Sequence, residues 1–240
     1  MSIYKNNFLN KLHNQWLSLF RHGLLPPAQC VLCGGDGRQG ICDACQLALP
    51  WLDIALCPRC AMPSNNAQIC AECHHNPPAF THTLAAFAYQ THVAQLVPAG
   101  KFGERWSLFA LLAQISASHY RIGSRPDCLV PMPLHASRLR ERGFNQSMEI
   151  AQVWQRELGV PVQPDLLQRI RDTSHQTQLD VAARARNMRR AFQASPNARG
   201  LHIVLVDDVM TSGATLHVAA RTLLRAGARQ VDAWVLARTL

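Results

Sequence analysis

The strongest constraint on the fold is a stretch near the C-terminus, Ile203 to Thr215, with the sequence IVLVDDVMTSGAT. Its first four residues, Ile203 to Val206, are apolar and mostly β-branched, which is typical of a parallel strand buried on both faces. Two adjacent carboxylates follow, Asp207 and Asp208, and open α/β sheets bind ligands at the carboxyl ends of their strands. The pattern predicts a central strand that carries two carboxylates to a ligand site.

The turn after the carboxylates is small and rich in hydroxyl groups, with the residues Thr211, Ser212, Gly213, Ala214 and Thr215. A helical apolar pattern from Leu216 to Leu224 follows. The N–H groups of the turn therefore converge at a helix N-terminus, where the macrodipole favours an anion. Gly213 lets the backbone approach a ligand closely because it has no Cβ. Sugar hydroxyls and Mg²⁺ are the natural partners of two carboxylates beside a phosphate, so we expect a ribose 5-phosphate here.

From Val204 to Thr215 the stretch resembles the 5-phosphoribosyl-1-pyrophosphate (PRPP) motif of type I phosphoribosyltransferases. The resemblance implies that Asp207 and Asp208 bind the ribose hydroxyls and that the loop from Thr211 to Thr215 binds the 5′-phosphate. Phosphoribosyltransferases for 6-oxopurines carry an acidic base where this chain has Thr211, so hypoxanthine and guanine are not expected as acceptors. No residue of the sequence can be named as the catalytic base.

Eight of the nine cysteines form four C-x-x-C pairs in the N-terminal part of the chain. The pairs are Cys30 with Cys33, Cys42 with Cys45, Cys57 with Cys60, and Cys70 with Cys73. Two thiolates at this spacing on a tight turn can reach one metal ion, and two such turns complete a tetrahedral Cys₄ site. We therefore predict two structural zinc ions. Sequential pairing gives two short zinc ribbons, and a cross-braced pairing is also compatible with the spacing.

Disulfides and an iron–sulfur cluster are the competing uses of these cysteines. Disulfides need an oxidising compartment, but the N-terminal stretch lacks the continuous apolar core of a signal peptide. Iron–sulfur clusters accept four thiolates, although their common spacings differ from this one. Cys128 stands alone in an apolar stretch and is interpreted as a buried core thiol. Free thiols held by metal, without a signal peptide, predict a cytoplasmic protein.

Length and composition predict three parts of the chain. Its 240 residues, 48% of them hydrophobic, can form a mid-sized α/β domain and a small metal-bound one. Residues 1–27 are predicted to form an amphipathic helix. Residues 28–78 have few large apolar side chains and are predicted to fold as a double zinc-ribbon domain around its metal ions. Residues 79–240 are predicted to form a phosphoribosyltransferase-like domain, and no apolar run reaches the roughly 20 residues that cross a membrane.

The secondary-structure pattern of the third part alternates strands with helices. Strands are predicted at 84–89, 128–132, 203–206 and 231–237, and helices at 106–120, 146–158 and 213–226. Gly227 is a helix C-cap signal. Such alternation predicts an α/β fold in which a parallel sheet with right-handed crossovers is flanked by helices.

The formal net charge is +9, and arginine supplies nearly all of the cations, with lysine only at Lys5, Lys11 and Lys101. Arginine suits the bidentate recognition of phosphate. The arginines cluster in two predicted loops. The first loop holds Arg138, Arg140 and Arg142, and the second runs from Arg169 to Arg190. Either loop fits a pyrophosphate or a nucleic-acid backbone, and we expect the first loop, with Lys101, to bind the pyrophosphate of PRPP.

Taken together, residues 30–240 resemble the ComF/GntX family. The resemblance rests on the cysteine pairs, the segment Lys101-Phe102-Gly103, the stretch from Arg138 to Gln146 and the PRPP motif. The T-x-S-Q element of the family is present as Thr173 to Gln176, with His175 at the serine position. The role of that serine is therefore not carried over to this chain.

The resemblance implies a PRPP-binding, phosphoribosyltransferase-like protein that acts in the uptake or utilisation of external DNA, as in natural competence. In the catalytic interpretation, an acceptor nitrogen attacks the ribose C1 and pyrophosphate leaves, its charge neutralised by nearby cations. In the alternative, the pocket senses PRPP without turnover, and the protein binds single-stranded DNA or a component of the uptake machinery. In this alternative the sensed ligand is PRPP or a nucleotide, and Mg²⁺ is expected to bind together with PRPP.

Overall fold

The computed structural model describes residues 28–37, 39–103, 105–120, 123–171 and 191–240. The chain divides into two compact units, with the boundary in the sequence between Ala48 and Leu49. The predicted N-terminal helix at 1–27, the T-x-S-Q element and most of the second arginine cluster lie outside the described residues. The division after Ala48 assigns the second cysteine cluster to the unit that holds the sheet, whereas independent folding of residues 28–78 stays a prediction.

The described part of the first unit, residues 28–37 and 39–48, contains little regular structure. It has a short antiparallel pair, β1 (Ala28–Gln29) with β2 (Asp36–Gly37), and the helix α1 (Asp43–Leu47). Among its described residues only Cys30, Gly37 and Ile41 are buried. Three buried residues are far too few for a hydrophobic core, so a segment of this kind depends on bound metal for its stability.

The second unit is built on a parallel sheet of four strands. In spatial order these are β3 (Thr83–Ala88), β8 (Gln230–Arg238), β7 (His202–Met210) and β4 (Cys128–Pro131). Every pairing in this sheet is parallel. Two further strands, β5 (Leu167–Arg169) and β6 (Phe192–Ala194), form a separate antiparallel pair. The parallel arrangement confirms the predicted fold class.

Helices cover both faces of this sheet. The described helices of the second unit are α2 (Ala71–His75), α3 (Thr91–Phe102), α4 (Ser107–Ala117), α5 (Ala136–Arg142), α6 (Gln146–Leu158) and α7 (Ala214–Arg225). On one face Trp234 of β8 contacts the ring of Trp154 from α6. The next residue, Val235, points to the other face and shares a buried core with Leu216 and Leu223 of α7. None of the described helices has both the length and the apolar character to span a membrane.

Most of these elements were predicted from the sequence. The bounds of α6 are the predicted ones, and the predicted strands are all present. Helix α3 was not predicted, because Pro98 in its interior disfavours a helix from the sequence alone. The first arginine cluster was expected on a loop and lies instead on α5, which begins after His135 accepts a hydrogen bond from the Ser137 N–H.

Candidate functional site

Strand β7 carries the carboxylate pair close to its carboxyl end. The strand was expected to end at Val206, but its pairing with β8 continues through Asp207 and on to Met210. Asp207 lies opposite Val235, and Met210 lies opposite Arg238. The two aspartates therefore sit within regular sheet structure, two residues before the loop. This position gives them a fixed backbone.

Asp208 is buried, with only 3% of its surface exposed, and it forms an ion pair with Lys101. Lys101 comes from the last turn of α3, and its side chain remains 21% exposed. The lysine that was expected to bind pyrophosphate thus neutralises one of the two carboxylates. An ion pair that is partly open to solvent can be exchanged for contacts with a charged ligand.

Asp207 has a different environment from Asp208. Its Oδ1 accepts hydrogen bonds from the Ser147 hydroxyl and the Asp208 N–H, both at 3.0 Å. Burial and the neighbouring charge of Asp208 raise the pKa of Asp207 to about 7, although these hydrogen bonds and Lys101 act in the opposite direction. Near neutral pH this carboxyl is therefore present in both its protonated and its ionised form. A ligand that donates hydrogen bonds to it favours the ionised form.

The loop after β7 is exposed where a phosphate would need to approach. Thr211, Ser212 and Ala214 are exposed, whereas Gly213 is buried with a φ of +75°. A Cβ at Gly213 would come within 2.6 Å of the Met210 Cε, so glycine fits both the conformation and the space. Gly213 at the N-cap of α7 has no side chain, and the Ser212 hydroxyl accepts a hydrogen bond from the Ala214 N–H at 3.4 Å. The next N–H groups, of Thr215 and Leu216, have no side-chain acceptor in the described structure and can donate to an anion.

The first arginine cluster lies at the same edge of the sheet as the aspartates. Pro131 at the end of β4 pairs with Val206 of β7, and α5 follows β4 in the chain. Arg140 is exposed, and Arg138 contacts Glu141 at 3.3 Å. Arg142 stacks over the Phe102 ring at 5.4 Å. The arginines therefore add positive charge to this edge, on a helix rather than a loop.

Two polar residues that support the site were not identified from the sequence. Ser147 donates to Asp207, as described above, and its own N–H donates to the Asn145 side chain at 3.0 Å. The Asn145 amide also donates to the Met132 carbonyl at 3.1 Å. Asn145 thus caps α6 and ties it to the chain after β4. An asparagine directly before a predicted helix is a recognised N-cap signal, so its local role was readable from the sequence.

The cysteines form two groups, each with sulfur atoms that all lie within 4.8 Å of one another. One group contains Cys30, Cys33, Cys42 and Cys45, and the other contains Cys57, Cys60, Cys70 and Cys73. The pairing is therefore sequential and not cross-braced. Four thiolates this close together have the chemistry and the geometry of a closed tetrahedral zinc site.

Backbone N–H groups prepare one thiol in each group for metal binding. Burial raises the pKa of Cys30, but hydrogen bonds from the backbone N–H groups of Cys33, Cys42 and Leu32 outweigh that effect and lower the pKa to about 6. In the second group burial also raises the pKa of Cys57, but hydrogen bonds from backbone N–H groups, chiefly that of Cys70, lower the pKa to about 7. A thiolate is the form that binds zinc, so Cys30 and Cys57 lose their protons to a metal ion more readily than an ordinary thiol does.

The second cysteine group is hydrogen-bonded to the sheet of its own unit. The Thr83 N–H donates to the Pro58 carbonyl at 2.9 Å, and the Thr83 hydroxyl donates to the Arg59 carbonyl at 2.5 Å. At the end of β8 the Arg238 Nε donates to the Cys60 carbonyl at 2.8 Å. Sequence reasoning did not identify Arg238, because an arginine at the end of an apolar strand has no motif that distinguishes it.

Comparisons with known proteins agree with this geometry. The family described as Phosphoribosyl transferase domain matches residues 145–239, and the Double zinc ribbon domain matches residues 21–74. The DNA utilization protein YhgH of Salmonella typhi is 34% identical over 227 residues, which cover 90% of this chain and 100% of that protein. The second family match bears out the prediction of two structural zinc sites.

Two more distant relatives have names that refer to competence. Competence protein F of Haemophilus influenzae (strain ATCC 51907 / DSM 11121 / KW20 / Rd) is 26% identical over 223 residues, covering 88% of this chain and 96% of that protein. Competence protein ComFC of Bacillus subtilis (strain 168) is 28% identical over 236 residues, covering 88% and 95%. All three relatives match over nearly their full length, so the similarity includes both the cysteine groups and the sheet.

Proposed function

This chain belongs to the ComF family of phosphoribosyltransferase-like proteins, and from that membership and the site geometry we propose that it binds Mg²⁺-PRPP and acts in the uptake or utilisation of external DNA. One observation carries the proposal. Asp207 and Asp208 lie two residues before an exposed loop that opens a helix, and the N–H groups of Thr215 and Leu216 have no side-chain acceptor in the described structure. The names of the relatives support the second part, because they refer to DNA utilisation and to competence.

In this proposal the aspartates and the loop bind different parts of the ligand. Asp207 and Asp208 accept hydrogen bonds from the ribose hydroxyls. The exposed N–H groups at the start of α7, with the hydroxyls of Thr211 and Ser212, donate to the 5′-phosphate. Carboxylate oxygens suit Mg²⁺, and two carboxylates beside a single lysine leave an excess of negative charge for it. When bound, Mg²⁺ neutralises part of the charge of the pyrophosphate.

Lys101 exchanges partners when the ligand binds. In the described structure it pairs with Asp208, and its partial exposure leaves it room to move. Hydrogen bonds from the ribose to Asp208 compensate for the loss of this pair, and the lysine then faces the pyrophosphate. Arg138, Arg140 and Arg142 on α5 supply further positive charge at the same edge. Cations placed in this way stabilise the charge of a departing pyrophosphate.

In the catalytic form of the proposal an acceptor nitrogen forms a bond to the ribose C1. The bond from C1 to the pyrophosphate oxygen breaks, pyrophosphate leaves with its electron pair, and the acceptor nitrogen loses a proton. A second candidate is PRPP binding without turnover, coupled to binding of single-stranded DNA. It is favoured by two exposed aromatic side chains, Phe102 at 73% exposure, which lies under Arg142, and Trp106 at 53%, because bases stack on such rings.

The test is calorimetric titration of Mg²⁺-PRPP into the wild-type protein and into Asp207→Asn and Asp208→Asn. Each variant removes a charged acceptor, so we expect affinity to fall by at least about tenfold. Asp165→Asn is the matched control, since Asp165 is exposed in a 3₁₀ turn away from the site. Wild-type affinity in both site variants would refute the site.

Pyrophosphate release, measured in the same samples with and without a single-stranded oligonucleotide, separates the two candidates. Release of pyrophosphate indicates an enzyme. Binding of PRPP without release, altered by the oligonucleotide, favours the second candidate. If arginines contact the oligonucleotide, its affinity falls steeply with salt.

A further inference from the structure

Arg238, the last residue of β8, connects the second cysteine group to the loop that follows β7. Its side chain is buried, with the residue only 6% exposed. We propose that Arg238 is a positioning residue through which zinc bound at Cys57, Cys60, Cys70 and Cys73 sets the geometry of the loop at 211–213. The consequence for PRPP affinity rests on the proposed function, whereas the consequence for the loop itself does not.

The hydrogen bonds of the guanidinium reach both structures. Its Nε donates to the Cys60 carbonyl at 2.8 Å. Its Nη1 donates to the Met210 carbonyl at 3.0 Å and also to the carbonyl of Thr211. Met210 ends β7 and Thr211 begins the loop, so one rigid planar group joins a metal ligand to the start of the loop. The geometry of the two ends cannot change independently while these bonds persist.

The start of the loop depends on the Arg238 guanidinium, because the carbonyl of the preceding residue, Met210, has few other hydrogen-bond donors. Met210 is 2% exposed, and its carbonyl accepts only from Arg238 and from the Thr239 N–H among the described hydrogen bonds. The loss of a charged donor from a buried carbonyl is costly. Gly213 is packed against the Met210 side chain, as the short distance to a hypothetical Cβ shows. A shift of Met210 would therefore move the turn that opens α7.

Zinc affects Arg238 in two ways. The Cys60 carbonyl is held by a tight turn, in which the Cys57 N–H donates to the Met62 carbonyl at 2.7 Å and the Ala61 N–H donates to the Cys57 carbonyl at 2.9 Å. Coordination of the Cys57 and Cys60 sulfurs by the same zinc ion keeps that turn closed. In addition, a zinc ion with four thiolates carries net negative charge. The described hydrogen bonds of Arg238 all go to neutral carbonyls, so the metal centre supplies the charge that a buried guanidinium needs.

The metal site and the loop border one cavity of about 740 Å³. Its lining includes Cys60, Cys70 and Cys73 of the second cysteine group, Ser212, Gly213 and Ala214 at the start of α7, and Arg238. The guanidinium is thus hydrogen-bonded to both sides of a shared cavity. The segment after Cys73 also contacts α7, where the Ala79 N–H donates to the His217 ring at 3.2 Å.

The first test replaces Arg238 by lysine. Arg238→Lys keeps the charge but has a single nitrogen, which cannot reproduce the planar fork between Cys60 and the loop. Hydrogen exchange of the amides at 210–215, measured by mass spectrometry without ligand, is expected to accelerate at least about tenfold. Arg229→Lys is the matched control, because Arg229 directly precedes β8 at its other end and is exposed. Zinc content must stay at the wild-type value in both variants.

The second test removes a metal ligand. Cys70→Ser disrupts the second group and should accelerate exchange at 210–215 as strongly as Arg238→Lys, with no further change in the double variant. Cys42→Ser, which disrupts the other group, should have a smaller effect at these amides. Loop exchange that is unchanged in Cys70→Ser, or in a zinc-loaded Arg238→Lys, overturns the proposal.

PRPP titration of the same variants completes the experiment. We expect Arg238→Lys to weaken binding at least about tenfold while zinc remains bound. If the wild-type protein does not bind PRPP, the proposed function fails, and the exchange measurements still decide the role of Arg238. If the wild-type protein binds PRPP and Arg238→Lys binds it equally well with unchanged loop exchange, the positioning role fails alone.

Discussion

The two cysteine groups have the same ligands and nearly the same spacing, but their surroundings differ. The first lies in a unit where only three described residues are buried. The second belongs to the unit with the sheet, where Cys57 is fully buried and Ala61 is 1% exposed within the main hydrophobic core. Among the described residues of the first unit, the metal substitutes for a core. In the second it is attached to a core that already exists.

The tight turns show the same difference at the level of single residues. The residue after the second cysteine of a pair has a positive φ in both groups, at +75° for Gly34 and +54° for Ala61. A Cβ at Gly34 would meet nothing within 4 Å, so glycine serves the backbone alone. Ala61 adopts an unfavourable backbone conformation, and burial of its methyl group in the core compensates for the cost. Packing therefore outweighs backbone preference only where a core is present.

Removal of zinc is expected to give the largest difference in stability between the two cysteine groups. A chelator is expected to abolish amide protection at 30–45 completely, because almost nothing else holds that segment. Protection at 57–73 should fall but persist, since the Thr83 hydrogen bonds and the buried Ala61 remain. Hydrogen exchange with and without chelator measures both segments in one sample. Equal loss of protection in the two segments would contradict the comparison.

The second prediction uses pH to distinguish the sheet unit from the first unit. The folded pKa of Asp207, about 7, lies above its ordinary value of 3.8. Its contribution to stability is therefore complete below 3.8 and is lost as the pH rises through about 7. Without ligand, the sheet unit of the wild-type protein should lose stability between about pH 4 and about pH 7 relative to Asp207→Asn.

Urea unfolding followed by tryptophan fluorescence measures this difference, since Trp154 and Trp234 lie buried in the sheet unit. The zinc affinity of the first group should show no dependence on the Asp207 substitution. Parallel pH profiles for the two proteins would show that Asp207 does not titrate in this range.

The smallest effects are expected at the two turn positions. Gly34→Ala should destabilise the zinc-bound turn by about 1 kcal/mol through its backbone conformation. Ala61→Gly relieves a similar cost but loses a buried methyl group worth about 0.8 kcal/mol, so its net effect should be under about 0.5 kcal/mol. Zinc competition with a chromogenic chelator reports the affinity of each site. A larger loss in Ala61→Gly than in Gly34→Ala would reverse the assignment of roles.

Local patterns made the sheet and the cysteine groups predictable. The apolar run of β7, the helical period of α6 and the C-x-x-C spacing each depend on residues close together in the chain. The Lys101 pair with Asp208 and the Ser147 bond to Asp207 join residues far apart, and the sequence contains no signal for either. The pairing of Asp207 to Met210 with β8 likewise depends on a neighbouring strand, so β7 was predicted too short.

This longer strand has a consequence for the entropy of ligand binding. A carboxylate on a mobile loop must be immobilised when a sugar binds, and the cost of ordering backbone and side chain reduces affinity. Asp207 and Asp208 lie instead in a strand that is paired with β8 through Met210, with one carboxylate held by Ser147 and the other by Lys101. Folding has already ordered these groups before any ligand arrives. The exposed side chains of Thr211 and Ser212 are then the groups of the proposed site that the ligand itself must order.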